Sequence, residues 1–246
     1  MFFLFLSCLL ILCISYIFVA YFKVYDYIKK KSIVVFVTAH PDDECMFFAP
    51  TILNLLRQDC DVYLLCLSSG GFYNQSAERK RELRASCKIL GIPAGNLVII
   101  EDSKLPDDPK KFWDKKRVAV IILKYVQQLS ANVVISFDEG GVSGHLNHIA
   151  IHHGLKYLTL KKLLPPGCEV LQLKSVSLIQ KYIGLFGVPL CCLRENIYYV
   201  SKYNDIRTAQ KSMKAHQSQY VWFRKLYILF SRYLYVNTFE EMMFNK

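Results

Sequence analysis

Apolar positions along this chain of 246 residues fall into two rhythms. Ile33–Thr38, Asp61–Leu67, Leu97–Ile100 and Asn132–Phe137 are short runs rich in β-branched and aromatic residues and bounded by polar clusters, the pattern of buried strands. Between them, Glu44–Asp59, Ala77–Leu90 and Trp113–Ser130 carry apolar residues at helical spacing. Ser68–Ser76, rich in Gly, Ser and Asn, reads as a loop, and so does Asp138–Gly144 with its three glycines. Leu146–Leu164 reads as a helix that Pro165 and Pro166 stop. The second half is less regular: Cys168–Ser177 and Asn196–Val200 predict strands and Asp205–His216 a helix. Tyr182–Leu193 is apolar but, at about 12 residues, too short to cross a membrane. A strand-then-helix alternation with short connections predicts an α/β fold in which a mostly parallel sheet is flanked by helices.

The first 22 residues contain no charged side chain. At about 1.5 Å per residue they reach roughly 30 Å as a helix, the thickness of a hydrocarbon core. A cleaved signal peptide would have a basic start and a shorter apolar run, so residues 1–22 are expected to be a transmembrane anchor. Lys23, Lys29, Lys30 and Lys31 follow in a basic segment, 23–31, and the positive-inside rule then puts residues 32–246 on the cytosolic side as a single domain.

Composition narrows the field further. The 53% apolar content excludes a disordered or collagen-like chain. The excess of 31 Lys+Arg over 20 Asp+Glu favours an anionic partner. The basic residues are scattered and no recognition motif appears, so no nucleic-acid role is expected. Nine cysteines show no metal-type spacing and read as small core residues in a reducing compartment.

Candidate chemistry gathers at two predicted strand ends. Ala39-His40-Pro41-Asp42-Asp43-Glu44 follows the first strand, where ligands bind in open parallel sheets. Alone, it is equally an acidic helix cap. The second cluster follows the Asn132–Phe137 strand and includes Gly144-His145-Leu146-Asn147-His148, with four of the six histidines at 145, 148, 152 and 153. A His-x-x-His pair at a helix start, together with His40 and an Asp, can complete a three-ligand metal site that leaves one position open, the arrangement of catalytic zinc. His152 and His153 read as core or supporting residues, and Glu44 as a residue that supports the site or the helix dipole.

These two motifs, with Arg79-Lys80-Arg81-Glu82-Leu83, resemble the zinc-dependent N-acetylglucosaminyl-phosphatidylinositol de-N-acetylases and their bacterial LmbE-like sugar-deacetylase relatives. The likeness is strongest over residues 33–153, is weaker through Asn204–Gln219, and leans to the eukaryotic membrane-bound branch of glycosylphosphatidylinositol-anchor synthesis. The resemblance implies a Rossmann-like sheet, with His40, Asp43 and His148 as metal ligands, Asp42 as general base and His145 assisting at the oxyanion. It also implies Zn2+ as cofactor, though Fe(II), Co(II) or Mn(II) take the same ligands. The implied substrate is the glycolipid N-acetylglucosaminyl-phosphatidylinositol, the product glucosaminyl-phosphatidylinositol plus acetate, and the place the endoplasmic reticulum membrane. One departure is Asn147, where many bacterial relatives have Asp.

The residues themselves allow such chemistry. A metal site can supply hydroxide near neutral pH, Asp42 is free to take the water's proton, and a protonated His145 would stabilise the oxyanion. Either Asp42 or His145 is then able to protonate the leaving amine. Arg79, opening a helix beside the Gly-rich loop, is the candidate substrate-binding residue, able to fork onto a phosphate or sugar oxygen. Its Lys/Arg/Glu neighbours equally suit a solvated face. Tyr220–Tyr235 mixes aromatic and basic residues and suits a membrane interface, with a core helix as the plain alternative. Other functions the chain admits are deacetylation of a soluble N-acetyl sugar conjugate and a non-catalytic membrane adaptor.

Overall fold

The computed structural model describes residues 10, 13–21 and 27–243. Its centre is a seven-stranded sheet of order β3-β2-β1-β4-β5-β7-β6. The strands are β1 (Ile33–Thr38), β2 (Asp61–Cys66), β3 (Leu97–Ile99), β4 (Val133–Phe137), β5 (Glu169–Leu173), β6 (Ile197–Val200) and β7 (Val236–Glu241). β1 to β5 run parallel, and β7 lies antiparallel between β5 and β6. β1 and β4 are buried almost throughout, as expected of strands covered by helices on both faces.

The helices are α1 (Asp43–Phe47), α2 (Ala49–Arg57), α3 (Ser76–Leu90), α4 (Lys115–Leu129), α5 (Leu146–Leu160), α6 (Leu178–Tyr182), α7 (Val188–Arg194), α8 (Tyr203–Ala215) and α9 (Trp222–Phe230). α4 and α5 pack closely because α5 has Gly154 at the crossing, where a Cβ would lie 2.6 Å from Val118 Cγ1. The mostly parallel α/β architecture agrees with the sequence reading. The strand order reverses between β1 and β4, so the loops that carry the two motifs open into one crevice at the carboxyl edge of the sheet.

Three local expectations change. The single helix expected over Glu44–Asp59 is two, α1 and α2, joined at Phe48. The helix expected over Leu146–Leu164 ends at Leu160. β7 has no counterpart in the apolar pattern, because Asn237 and Thr238 sit in it fully buried. Both are satisfied: Asn237 donates to the carbonyls of Phe47 and Tyr233 and accepts from Thr51, and Thr238 Oγ1 accepts from Arg232. A strand stabilised by such bonds rather than by apolar alternation is invisible to periodicity.

Much of the expected membrane span 1–22, and part of the basic segment 23–31, lie outside the described residues. Among those described, no helix is long and apolar enough to cross a membrane. Residues 13–21 are helical. Tyr16 and Ala20 pack there with Val188, Cys191 and Cys192 of α7, and the Tyr16 hydroxyl donates to the Ser201 carbonyl at 2.7 Å.

Candidate active site

His40, Asp42 and Asp43 leave the end of β1 in a turn in which Asp42 takes φ 110°, a left-handed conformation unusual for a residue with a side chain. Such strain costs on the order of 1–3 kcal/mol and collects at functional sites. Across the crevice, the loop after β4 is held by Asp138, whose carboxylate accepts from the Gly140 and Gly141 amides and from Ser175. This loop also contains Val142 at φ 65°, a conformation costly for a β-branched residue. It delivers His145 as the residue before α5 and His148 inside its first turn.

The five residues expected at the site meet here. His40, His145 and His148 each bring a ring nitrogen within 4.8 Å of the others. His148 Nδ1 lies 3.1 Å from the Gly141 carbonyl, which can only accept, so Nδ1 carries the proton and Nε2 presents a lone pair. That Nε2 is buried and has no hydrogen-bond partner, yet Asp43 Oδ1 stands 3.2 Å from it. Two lone-pair atoms at this separation repel each other unless a cation lies between them. The distance suits two ligands of one tetrahedral ion with bonds of about 2.0–2.2 Å.

His40 is prepared in the same way. Its Nε2 is 3.1 Å from Asp107 Oδ1, so the proton sits on Nε2 and Nδ1 is left on the side of Asp43, 3.9 Å from Oδ2. A carboxylate behind a ligating imidazole fixes the ring's tautomer and orientation. The side-chain amide of Asn147 also lies 3.0 Å from His40 Nε2, so the Asn147 side chain faces His40 and not His145. Asp43 Oδ2 accepts from the Ala39 and His40 amides, which aims Oδ1 into the crevice.

The electrostatics ask for one more positive charge. Among the described residues, Asp42, Asp43 and Asp107 are answered by two permanent cations at the site, Arg79 and Arg224. Burial alone would raise Asp43, but positive charge at the His148 and His40 positions holds it well below the usual carboxylate range, the effect a cation shared by these groups would have. Burial, helped by the charge of Asp43, raises Asp42 overall against the pull of Arg224 and Arg79, giving this carboxylate a raised proton affinity. Burial opposes a charge on His40, yet Asp107, Asp43 and Asp42 raise it overall. The residues present therefore fit a divalent metal ion: buried lone pairs converge where positive charge is favoured.

Asp42 lines the same cavity, with Oδ2 held 3.1 Å from Arg224 Nη2. His145 lies beside it as an uncharged group. Burial, followed by His40 and His148, pushes its pKa down to about 4. Its Nδ1 accepts from the Asn147 amide at 3.3 Å, so Nε2–H is the donor it offers. This setting favours the neutral form over the protonated His145 that the sequence suggested. The environment makes it a neutral donor.

Arg79 also has a different setting from either expectation. It is buried, and its guanidinium donates to the Pro41 carbonyl at 2.7 Å, the Gly70 carbonyl at 3.3 Å and Asp107 Oδ2 at 3.0 Å. These bonds tie together loops after β1, β2 and β3 and use three of the five guanidinium N–H donors, leaving Nε without a partner. Gly70, at φ +74°, leaves the room: a Cβ there would lie 2.5 Å from Arg79 Nε. Asp107 and Arg224 were not legible as site residues. Pro106-Asp107-Asp108-Pro109 follows the third strand, so an acidic cluster at another strand end was the available signal for Asp107. His152, with Nδ1 2.7 Å from Gln172 Oε1, and His153, against Phe112, contact none of the converging residues through these bonds.

The groups line a cavity of about 230 Å³ whose walls include Phe72, Tyr73, Arg224 and Gln219. Behind it, Glu44 accepts from Ser86 and lies 2.8 Å from His216 Nε2, both residues being buried. Glu44 thus takes no part in the converging set.

Residues 35–158 match the family described as GlcNAc-PI de-N-acetylase. The chain is 48% identical over 203 residues to the N-acetylglucosaminyl-phosphatidylinositol de-N-acetylase of Bos taurus, covering 82% of this chain and 80% of that one. It is 35% identical over 245 residues to the probable enzyme of the same name from Dictyostelium discoideum, covering 87% and 94%. Its fold is similar to that of N,N'-diacetylchitobiose deacetylase from Pyrococcus horikoshii, with a TM-score of 0.62 at 17% identity over 91% of this chain and 88% of that one.

Proposed function

The chain belongs to the GlcNAc-PI de-N-acetylase family, and on that premise we propose that it hydrolyses the N-acetyl group of N-acetylglucosaminyl-phosphatidylinositol in glycosylphosphatidylinositol-anchor synthesis. The products are glucosaminyl-phosphatidylinositol and acetate. The observation that carries the metal-dependent reading is the convergence of the unpartnered His148 Nε2 and Asp43 Oδ1, 3.2 Å apart.

In this reading His40, Asp43 and His148 hold a divalent ion. Zinc is favoured by two imidazoles, a carboxylate and an open position, although Fe(II), Co(II) and Mn(II) suit the same donors. Such an ion, when bound, would supply Lewis acidity and lower the pKa of a water toward neutrality. Asp42, with its raised proton affinity, takes the proton of the attacking water as the new C–O bond forms. His145 Nε2–H donates to the acetamide oxygen as that oxygen gains charge, an interaction strongest in the transition state. When the C–N bond breaks, Asp42, which took the water's proton in the first step, is the group able to protonate the departing amine, while neutral His145 keeps its Nε2–H on the acetate oxygen. Arg79 acts through Pro41, Gly70 and Asp107 as a positioning residue. The same set of groups argues against a non-catalytic adaptor.

For the whole chain we propose a single-pass protein of the endoplasmic reticulum membrane. Residues 1–22 form the anchor, 23–31 a basic segment on the cytosolic side, and 32–246 the catalytic domain. The uncharged run followed by lysines supports that orientation.

The reading is tested by acetate release from N-acetylglucosaminyl-phosphatidylinositol in vesicles. Release should cease with a chelator and return with zinc. Faster release from a soluble N-acetyl sugar conjugate than from the glycolipid would overturn the substrate assignment.

A further inference from the structure

The amphipathic helix α9 buries Tyr227 and Ile228 and turns Trp222, Phe223, Leu226, Leu229 and Phe230 outward. It packs against α6 and the 3-10 turn Gly184–Gly187. α6 exposes Leu178 at 72% and Ile179 at 79%, and α7, next along the chain, exposes Leu193 at 84%. Soluble surfaces seldom gather so many large apolar side chains, and such patches mark interaction sites.

Charge and position identify the occupant. Residues 176–194 and 220–235 contain no Asp or Glu but include the exposed cations Arg194 and Lys225. Aromatic rings with basic side chains around an apolar face suit the boundary between anionic headgroups and acyl chains. The helical residues 13–21 pack on α7 through Tyr16 and Ala20, so the uncharged N-terminal run reaches the domain beside this surface. The inner side of α9 is a wall of the catalytic cavity: Arg224 bonds Asp42, and the Tyr227 hydroxyl donates to the Met46 carbonyl at 3.1 Å. One helix therefore has the site on one side and the exposed apolar face on the other.

We propose that the outward face of α9, continued by α6 and α7, seats in the headgroup region of the lipid bilayer and so brings the cavity mouth to the membrane surface. This contact is additional to any anchoring by residues 1–22, and it rests on the reading of a membrane lipid as substrate only in giving the docking a purpose.

The chain has two tryptophans, which provide the test. Trp222 is 72% exposed on the face and Trp113 is 1% exposed in the core. Full-length protein is reconstituted in phosphatidylcholine–phosphatidylinositol vesicles whose acyl chains are either brominated or not. About half of the total emission, the share of one tryptophan in two, should be quenched in the wild type and almost none in Trp222→Phe. Equal quenching in the two proteins, or none in either, would overturn the proposal. So would a Trp222 shielded from both bromine and water in a protein of doubled mass, since a second copy would then occupy the face. Emission is read without turnover, so acetate release from the same vesicles with N-acetylglucosaminyl-phosphatidylinositol added reports separately on the proposed reaction.

Discussion

Asp42 and Asp43 are chain neighbours whose surroundings drive their proton affinities in opposite directions. Burial raises Asp42, whereas His148 and His40 overcome burial at Asp43 and lower it. Divergent affinities of this kind separate a base from a ligand. His145 has no positive charge to offer, so its contribution is a directed N–H, and His145→Ala should lower kcat more than it raises KM. Steady-state kinetics on a dispersed glycolipid will show this, and a pure rise in KM would make His145 a binding residue instead. Asp107 acts through His40, so Asp107→Asn should weaken metal affinity by roughly 10–100-fold, measured by competition with a chromogenic chelator. Unchanged affinity would reduce Asp107 to a partner of Arg79. The five residues of the two motifs are legible in sequence because each cluster occupies one loop at a strand end. Asp107 and Arg224 are not, because they arrive from other loops and act through single bonds. Arg79 is legible as a candidate, but its bonds to Pro41, Gly70 and Asp107 are not, since they join three loops that only the fold brings together.

At the level of elements, one buried pair joins three helices to the site. Glu44 is on α1, Ser86 on α3, and His216 follows α8. Burial opposes both charges, yet the attraction within the pair raises His216 above its ordinary 6.5 and lowers Glu44 below its ordinary 4.5. Stability from Glu44 is complete above 4.5 and is lost as pH falls through its lower folded value. Stability from His216 is complete below 6.5 and is lost as pH rises through its higher folded value. His216→Gln should therefore lose about 3–5 kcal/mol near pH 5–6, with a gap from wild type that narrows on both sides. Urea unfolding across pH will measure that gap, and a constant gap would mean that packing alone is at stake. The parallel strands β1 to β4 are legible because they are apolar runs between helices. β7 is not, because Asn237 and Thr238 reach their partners only in the assembled sheet.

On the scale of the whole molecule, residues 13–21 belong to the packed structure as well as to any anchor. Tyr16 is buried against α7 and bonded to Ser201, so Tyr16→Ala should cost about 2–4 kcal/mol. Tyr16→Phe should cost only about 1 kcal/mol, both measured by denaturation of the full chain in detergent. A Tyr16→Ala protein as stable as wild type would leave the apolar run an anchor and nothing more. The N-terminal run and the aromatic-basic C-terminal region are legible as membrane-seeking by composition, but that they lie beside the same domain surface depends on tertiary packing. The reaction proposed for the chain depends above all on the division of adjacent carboxylates into base and ligand. The most direct test is the metal-to-protein ratio of purified Asp42→Asn, measured together with its acetate release. The expected result is a ratio equal to that of wild type with release lowered by roughly 10²–10⁴-fold, while His148→Ala loses both metal and activity. Loss of the metal from Asp42→Asn, or near-normal release by it, would contradict the assignment.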